Sequence, residues 1–281
     1  MLQTSQEISV HPLAGALGAE VRGIDLARGL DDETTAALRR IWLEYGVVFF
    51  RDQELSSAEF LAVARRFGTV IEYPFLRGLP DYPEIIPVVK LPHERVNFGG
   101  VWHSDTAYLD HPPMATLLLA REVPPYGGDT LFACQNAAYE ALSDGMKRLL
   151  GGLFAVNTSA RADVTRTRED RMRDGARADA RKEYVAIHPV VRTHPETGRK
   201  SLYINRAHTQ AFADMTEAES APLLNWLFEH QVRPEFTCRF RWQVGSLALW
   251  DNRRVLHNPI NDYHGYRREM HRITLAGDRP R

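Results

Sequence analysis

The sequence predicts a mainly β fold with flanking helices, arranged as a jelly-roll or cupin-like double sheet. Three observations carry this. Most of the chain beyond its first quarter reads as short strands separated by turn signals. The helical stretches are few and widely separated. The strands do not alternate with regularly spaced helices, as the crossovers of a parallel sheet require.

Taken in order, Asp31 to Tyr45 is predicted as an amphipathic helix, because Leu38, Ile41, Trp42 and Tyr45 recur at helical spacing and Asp31 or Asp32 can cap its start. Gly46-Val-Val-Phe-Phe-Arg51 follows as a short buried strand. Ser56-x-x-Glu59 is a capping box opening a helix that Gly68 closes, and Thr216-x-x-Glu219 opens another that runs to about Gln231. Strands are expected from Ala115 to Val123, Thr130 to Cys134, Tyr184 to Arg192, Ser201 to Asn205, Thr237 to Trp242, Ser246 to Asp251 and Arg268 to Leu275. Thr237-Cys-Arg-Phe-Arg-Trp242 alternates polar with apolar, as a strand with one solvated face does. His194-Pro-Glu-Thr-Gly198 reads as an exposed hairpin turn.

Arg161 to Lys182 is dense in arginine and aspartate and lacks apolar periodicity. Two readings of this stretch, at about residues 160–183, stay open: a solvated surface loop, or an active-site lid whose arginines recruit an anion. No repeat or low-complexity linker divides the chain, so residues 1–281 are expected to form one domain.

Composition narrows the partner. A formal net charge of −1 gives no global field to attract nucleic acid or a membrane surface, which points to a small molecule. Met1 to Val10 is polar, and no run of about 18 apolar residues follows, so a cytoplasmic protein is expected. The two cysteines, Cys134 and Cys238, lie in apolar alternation and are expected to pack in the core.

The chemistry gathers around His103-Ser-Asp105. Non-haem Fe(II) oxygenases hold iron with two histidines and one carboxylate on one face, leaving positions for co-substrate and O2. On a strand, an i, i+2 spacing points both side chains the same way. A histidine two residues before a carboxylate is expected by chance on the order of once in such a chain, so the pair needs support. A rival, His194-Pro-Glu196, is assigned to turn chemistry. His103 is the better site, because Gly99 and Gly100 allow close backbone approach and Trp102 and Tyr108 can wall it off. The third ligand must come from a distant strand, and His257 follows the apolar Ser246-Leu-Ala-Leu-Trp-Asp251.

The last strand supplies further support. Arg268, Met270, Arg272 and Thr274 share one face, with the arginines roughly 13 Å apart at strand rise. Two buried cations are costly unless anions neutralise them, and arginine binds a carboxylate through two parallel hydrogen bonds. The natural assignment is one arginine for the distal carboxylate of 2-oxoglutarate and one for a substrate anion. Pairing of Arg267, Arg268 and Arg272 with acidic side chains is the bland alternative.

These residues resemble the taurine dioxygenase and 2,4-dichlorophenoxyacetate dioxygenase (TauD/TfdA) family of Fe(II)/2-oxoglutarate enzymes. The resemblance rests on Trp102-His-Ser-Asp105, Val123-Pro-Pro-Tyr-Gly-Gly-Asp-Thr130, Leu249-Trp-Asp-Asn252, His257 and Met270-His-Arg-Ile-Thr-Leu-Ala-Gly-Asp278, in the expected order over nearly the whole chain. It implies a double-stranded β-helix in which His103, Asp105 and His257 bind Fe(II), and Thr130 and Arg268 hold the distal carboxylate of 2-oxoglutarate. It also implies that Arg272 meets the substrate anion and that the protein is a dimer or tetramer. The implied reaction consumes O2, hydroxylates a small anionic substrate, possibly cleaving it thereby, and releases succinate and CO2.

Two departures bear on the substrate. Tyr73 stands near a histidine position of the taurine enzyme, and Gly99 replaces the family asparagine four residues before the first ligand. Tyr73 and the Thr106-Ala-Tyr-Leu-Asp110 run therefore join Arg272 as candidate substrate contacts, with Thr106 foremost in that run. They favour an aryloxyalkanoate, or another carboxylate or sulfonate, over taurine. The competing classes are a cupin-type metal hydrolase or isomerase, and a jelly-roll module that binds a small anion or sugar without catalysis.

Overall fold

The computed structural model describes residues 8–73, 76–97, 99–161 and 183–281. The expected lid therefore lies almost entirely outside the described residues. The elements in chain order are β1 (Ser9–Pro12), β2 (Ala19–Arg22), α1 (Asp32–Tyr45), β3 (Val47–Phe50), α2 (Ser57–Phe67), β4 (Val70–Ile71), β5 (Ile86–Lys90), β6 (Ala115–Glu122), β7 (Thr130–Cys134), α3 (Gln135–Glu140) and α4 (Asp144–Leu150). They continue with β8 (Phe154–Thr158), β9 (Val185–Pro189), β10 (Val191–Thr193), β11 (Lys200–Leu202), β12 (Thr209–Phe212), α5 (Glu217–His230), β13 (Thr237–Phe240), β14 (Leu247–Asp251), β15 (Val255–Pro259) and β16 (Arg268–Leu275).

Alternation along the strands sorts the core into layers. The main sheet runs β1-β2-β3-β14-β6-β16-β4, with β5 paired to β16, and only β2 and β3 are parallel. Leu247 and Leu249 of β14 face a core shared with Leu38 and Trp42 of α1 and with Phe60, Ala64 and Phe67 of α2. Ala248 and Trp250 face the other way, into a core shared with Phe132 and Cys134 of β7, Cys238 and Phe240 of β13 and Val255 of β15. Those three strands form a second antiparallel sheet, β13-β7-β15, so two sheets pack face to face and helices cover one outer face. Both cysteines are free and buried there, as expected. No described helix is long and apolar enough to cross a membrane.

The caps act as the sequence predicts. Asp31 accepts from the Thr34 amide, and the Ser56/Glu59 and Thr216/Glu219 capping boxes are both formed. Other elements differ. The expected strand from Tyr184 to Arg192 is two strands in different sheets, β9 on β8 and β10 on β11, with the break at Val190, whose amide bonds the Leu153 carbonyl. The strand expected to reach Asn205 stops at Leu202, because Asn205 turns the chain by accepting from the His208 amide. Helices α3 and α4, of six and seven residues, are too short to register as helical periodicity.

His194 also corrects the expectation. Its hairpin forms, with Thr193 opposite Lys200, and His194 Nδ1 accepts from the Glu196 and Thr197 amides. The histidine is buried, however, with Nε2 2.8 Å from Asp251 Oδ2. Asp251 also accepts from the Arg253 backbone and from Nε and Nη2 of its guanidinium, and Arg253 reaches Glu196 at 2.8 Å. Arg39 of α1 closes the cluster on Glu196. The ends of β14 and β15, the β10–β11 hairpin and α1 are thereby tied together.

Burial opposes ionisation of Asp251, but Arg253 and His194 hold its carboxyl well below the usual range. A depressed carboxylate contributes stability above its unfolded pKa, near 4, and loses it as the pH falls through the folded value. Asp251→Asn is expected to cost about 3–5 kcal/mol in urea unfolding, by stranding Arg253, and to flatten the acid limb of the stability–pH curve.

Candidate metal centre and anion pocket

His103 and His257 meet through their backbones before their side chains do. Each amide donates to the other's carbonyl, at 3.1 and 2.9 Å, in an isolated bridge between the loop before β6 and strand β15. His103 and Asp105 do not share a strand, as the spacing argument assumed. Asp105 sits in a turn whose next residue, Thr106, has a φ of 41°. The turn, rather than a pleat, brings both side chains to one point.

The hydrogen bonds around His103 and Asp105 leave one atom of each facing the cluster, while His257 Nδ1 has no hydrogen-bond partner. His103 Nδ1 lies 2.7 Å from the Val101 carbonyl, which only accepts, so this nitrogen carries the proton and Nε2 keeps its lone pair. Thr116 Oγ1 donates to Asp105 Oδ2 at 2.6 Å and in turn accepts from Asn252, whose amide oxygen accepts from Trp250. Asp105 Oδ1 is left 3.8 Å from His103 Nε2 and 3.9 Å from His257 Nε2. One ligand atom from each of the three residues lies within 4.8 Å of the others.

The charge states suit a metal. Burial lowers the pKa of both histidines and keeps the imidazoles neutral. Burial opposes ionisation of Asp105, yet Arg272, then His257 and His103, hold its carboxyl well below the usual range. Two neutral nitrogens and one carboxylate oxygen match the donor set of mononuclear non-haem iron sites, which require deprotonated ligands. The Thr116–Asn252–Trp250 chain is the outer support such a ligand needs.

The anion pocket opens beside this cluster, between the two sheets. Thr130, Arg268 and Arg272 line it with Val88, Leu118, Trp250 and Pro259. Trp242 Nε1 donates to Thr130 Oγ1 at 2.9 Å, which leaves the threonine's own proton to donate elsewhere. Arg268 is buried, and its Nε and Nη2 have no hydrogen-bond partner. Arg267 takes the bland role, pairing with Glu122 and Glu269 at the surface.

Arg272 lies with one amino group 3.1 Å from Asp105 Oδ1 and its guanidinium over the Tyr73 ring. Tyr73 belongs to a buried cluster with Leu76, Ile86 and Tyr108 on the far side of the ligands. Thr106 Oγ1 is buried there without a hydrogen-bond partner. The sequence reading missed His208, whose ring lies 6.1 Å from His103 and 4.9 Å from Tyr108. Burial, then the neighbouring His103, lowers its pKa to about 3, so it is neutral. A lone histidine after Asn205-Arg-Ala carries no spacing signal, so only the fold reveals it.

Residues 9–274 match the family model for the taurine catabolism dioxygenase TauD, TfdA family. The chain belongs to the TauD/TfdA family. It is 31% identical to an alpha-ketoglutarate-dependent sulfate ester dioxygenase of Pseudomonas putida, over 98% of this chain and 91% of that one. It is 32% identical to the alpha-ketoglutarate-dependent 2,4-dichlorophenoxyacetate dioxygenase of Cupriavidus pinatubonensis, over 96% and 98%. A crystal structure of a taurine dioxygenase from Burkholderia xenovorans superposes with a TM-score of 0.82 at 35% identity, covering 97% of this chain and 92% of that one. This TauD/TfdA protein is therefore a 2-oxoglutarate-dependent dioxygenase.

Gly99, beside the cluster, leaves no room for a side chain. Its φ is +70°, and a Cβ there would stand 2.8 Å from His103 Cε1 and 3.2 Å from Nε2. Gly99→Ala is expected to turn the His103 ring and weaken Mn(II) binding about tenfold or more, read by electron paramagnetic resonance titration.

Proposed function

We propose that this enzyme binds Fe(II) through His103 Nε2, Asp105 Oδ1 and His257 Nε2. Thr130 and Arg268 hold the distal carboxylate of 2-oxoglutarate, and a small anionic substrate is aimed by Arg272. The observation that carries the reading is the convergence of three ligand atoms at one end of a pocket whose lining also holds Arg268, a buried guanidinium with Nε and Nη2 unpartnered. The packed sheets agree with a double-stranded β-helix, and a dimer or tetramer belongs to the same reading.

Bound Fe(II) supplies the oxidising chemistry, coupling O2 to decarboxylation of 2-oxoglutarate and hydroxylation of the substrate. The protein's own residues orient and neutralise. Thr116 and Asn252 fix Asp105 so that one oxygen faces the cluster. Thr130 donates its free proton, and Arg268 its two free N–H groups, to one carboxylate. Arg272 stands 3.1 Å from Asp105, and with that carboxylate shared with Fe(II) its guanidinium can meet a substrate anion.

Tyr73, Tyr108 and Ile86 give the substrate an apolar wall, and Thr106 Oγ1 offers a polar contact. Neutral His208 adds a hydrogen-bonding group without charge. The relatives' sulfate-ester and aryloxyacetate substrates share an anionic head on an apolar body, which suits this division. Carboxylates, sulfonates and sulfate esters of that shape are the proposed substrates.

Anaerobic protein with Fe(II) and 2-oxoglutarate is expected to develop the visible metal-to-ligand charge-transfer band of a chelate, absent in His257→Ala. Arg268→Ala should keep iron and lose about thirtyfold in 2-oxoglutarate affinity, the cost of one buried charge-assisted contact. No band in folded, iron-loaded protein would favour the metal-hydrolase or binding-module alternatives.

A further inference from the structure

Strand β5 adds a cation that the site described above does not use. In the antiparallel pairing of β5 with β16, Ile86 stands opposite Arg272, Val88 opposite Met270 and Lys90 opposite Arg268. Directly opposed residues project from the same face, so Lys90 shares the inner face with the two arginines. Val88, on the same face, lines the pocket. Lys90 is 5% exposed, and its Nζ has no hydrogen-bond partner.

No described carboxylate forms an ion pair with Lys90, and Glu94 acts on it only from a distance. The ammonium lies 4.4 Å from the centre of the Tyr263 ring. That phenol donates its proton to Asn97 Oδ1, so the ring offers its face and no formal charge. Glu94 spends a carboxylate oxygen on the Leu91 amide, and no described carboxylate lies within ion-pair distance of Lys90. Two like charges directly across a strand pair repel, and a buried ammonium without partners is costly. Lys90 and Arg268 thus stand as two buried cations without an ion-pair partner among the described residues, Glu94 and Asp129 acting on them only at longer range.

We propose that Lys90 is a second cationic contact for the distal carboxylate of 2-oxoglutarate, closing on it from β5 while Arg268 approaches from β16. The inference rests on the assignment of Arg268 in the preceding subsection. The two cations then clamp one anion, and the co-substrate's carboxylate offsets one of the strand pair's two positive charges. Lysine's flexible stem suits this, since its three donors can follow the carboxylate after Arg268 has set its plane.

The test compares 2-oxoglutarate with 2-oxovalerate, which has the same chain length but no distal carboxylate, in anaerobic Fe(II)-loaded protein by calorimetry. Lys90→Met should lower 2-oxoglutarate affinity about tenfold, leave 2-oxovalerate affinity unchanged, and be largely rescued by Lys90→Arg. The free Lys90→Met protein should melt no lower than the parent, because a repulsion is removed. Unchanged 2-oxoglutarate affinity, or an equal loss for both acids, would overturn the role of Lys90. Arg268→Met, run alongside, reports on the underlying assignment: if it too treats both acids alike, the pocket itself is misassigned.

Discussion

Placing arginines between two packed sheets is the constraint around which this molecule is organised. The inner face of β16 carries Arg268 and Arg272 where a sandwich core would ordinarily carry aliphatic residues, and each must find negative charge or remain a destabilising guest. Arg272 finds Asp105, and that pairing in turn keeps a fully buried carboxylate ionised between two neutral imidazoles. Arg268 has no ion pair among the described residues, and Asp129 acts on it only from a distance. The unmet half of this balance sets the pocket apart from an ordinary core and is the basis on which it is proposed to bind an anion.

The rest of the architecture isolates that interior from the forces that hold the chain together. Helices α1 and α2 pack against the opposite face of the main sheet, so the larger aliphatic core gains its stability without touching the ligands. The β14–β15 connection is fixed at its outer end by the Asp251–Arg253–His194 cluster. At its inner end Asn252 reaches Thr116 and thus Asp105. One three-residue connection therefore transmits the rigidity of a buried ion cluster to a carboxylate on a different segment, while the reciprocal amide bridge aligns His257 with His103.

Much of this was legible in the sequence wherever a residue's role is set by local pattern. The capping boxes at Ser56 and Thr216, the amphipathic helix around Trp42 and the alternating face of β16 all follow from spacing alone. His103, Asp105 and His257 were found by combining spacing with family resemblance, although the reason offered, a common strand, proved to be a turn. What escaped was set by distant partners. His194 looked like an exposed turn residue because nothing near it in sequence announces Asp251, and His208 and Trp242 acquire their places beside the pocket only when β12 and β13 are packed. Lys90 reads as one more surface lysine until its pairing with Arg268 is known.

One irregularity on β6 has a meaning for divergence. The pairing of β16 with β6 shifts between Glu269 and Met270, so Glu269 faces Glu122, Met270 faces Ala120, and Arg121 is the extra residue, anchored to Leu55 and His271. Such a bulge absorbs a register change locally and adds twist. It falls between the Arg268 end of the strand and the Arg272 end, the two ends proposed to meet co-substrate and substrate. Substitutions that reshape the Tyr73 side can accumulate without shifting Arg268 against Thr130. On the proposed assignment, a lineage built on such a strand can change its substrate while keeping its co-substrate.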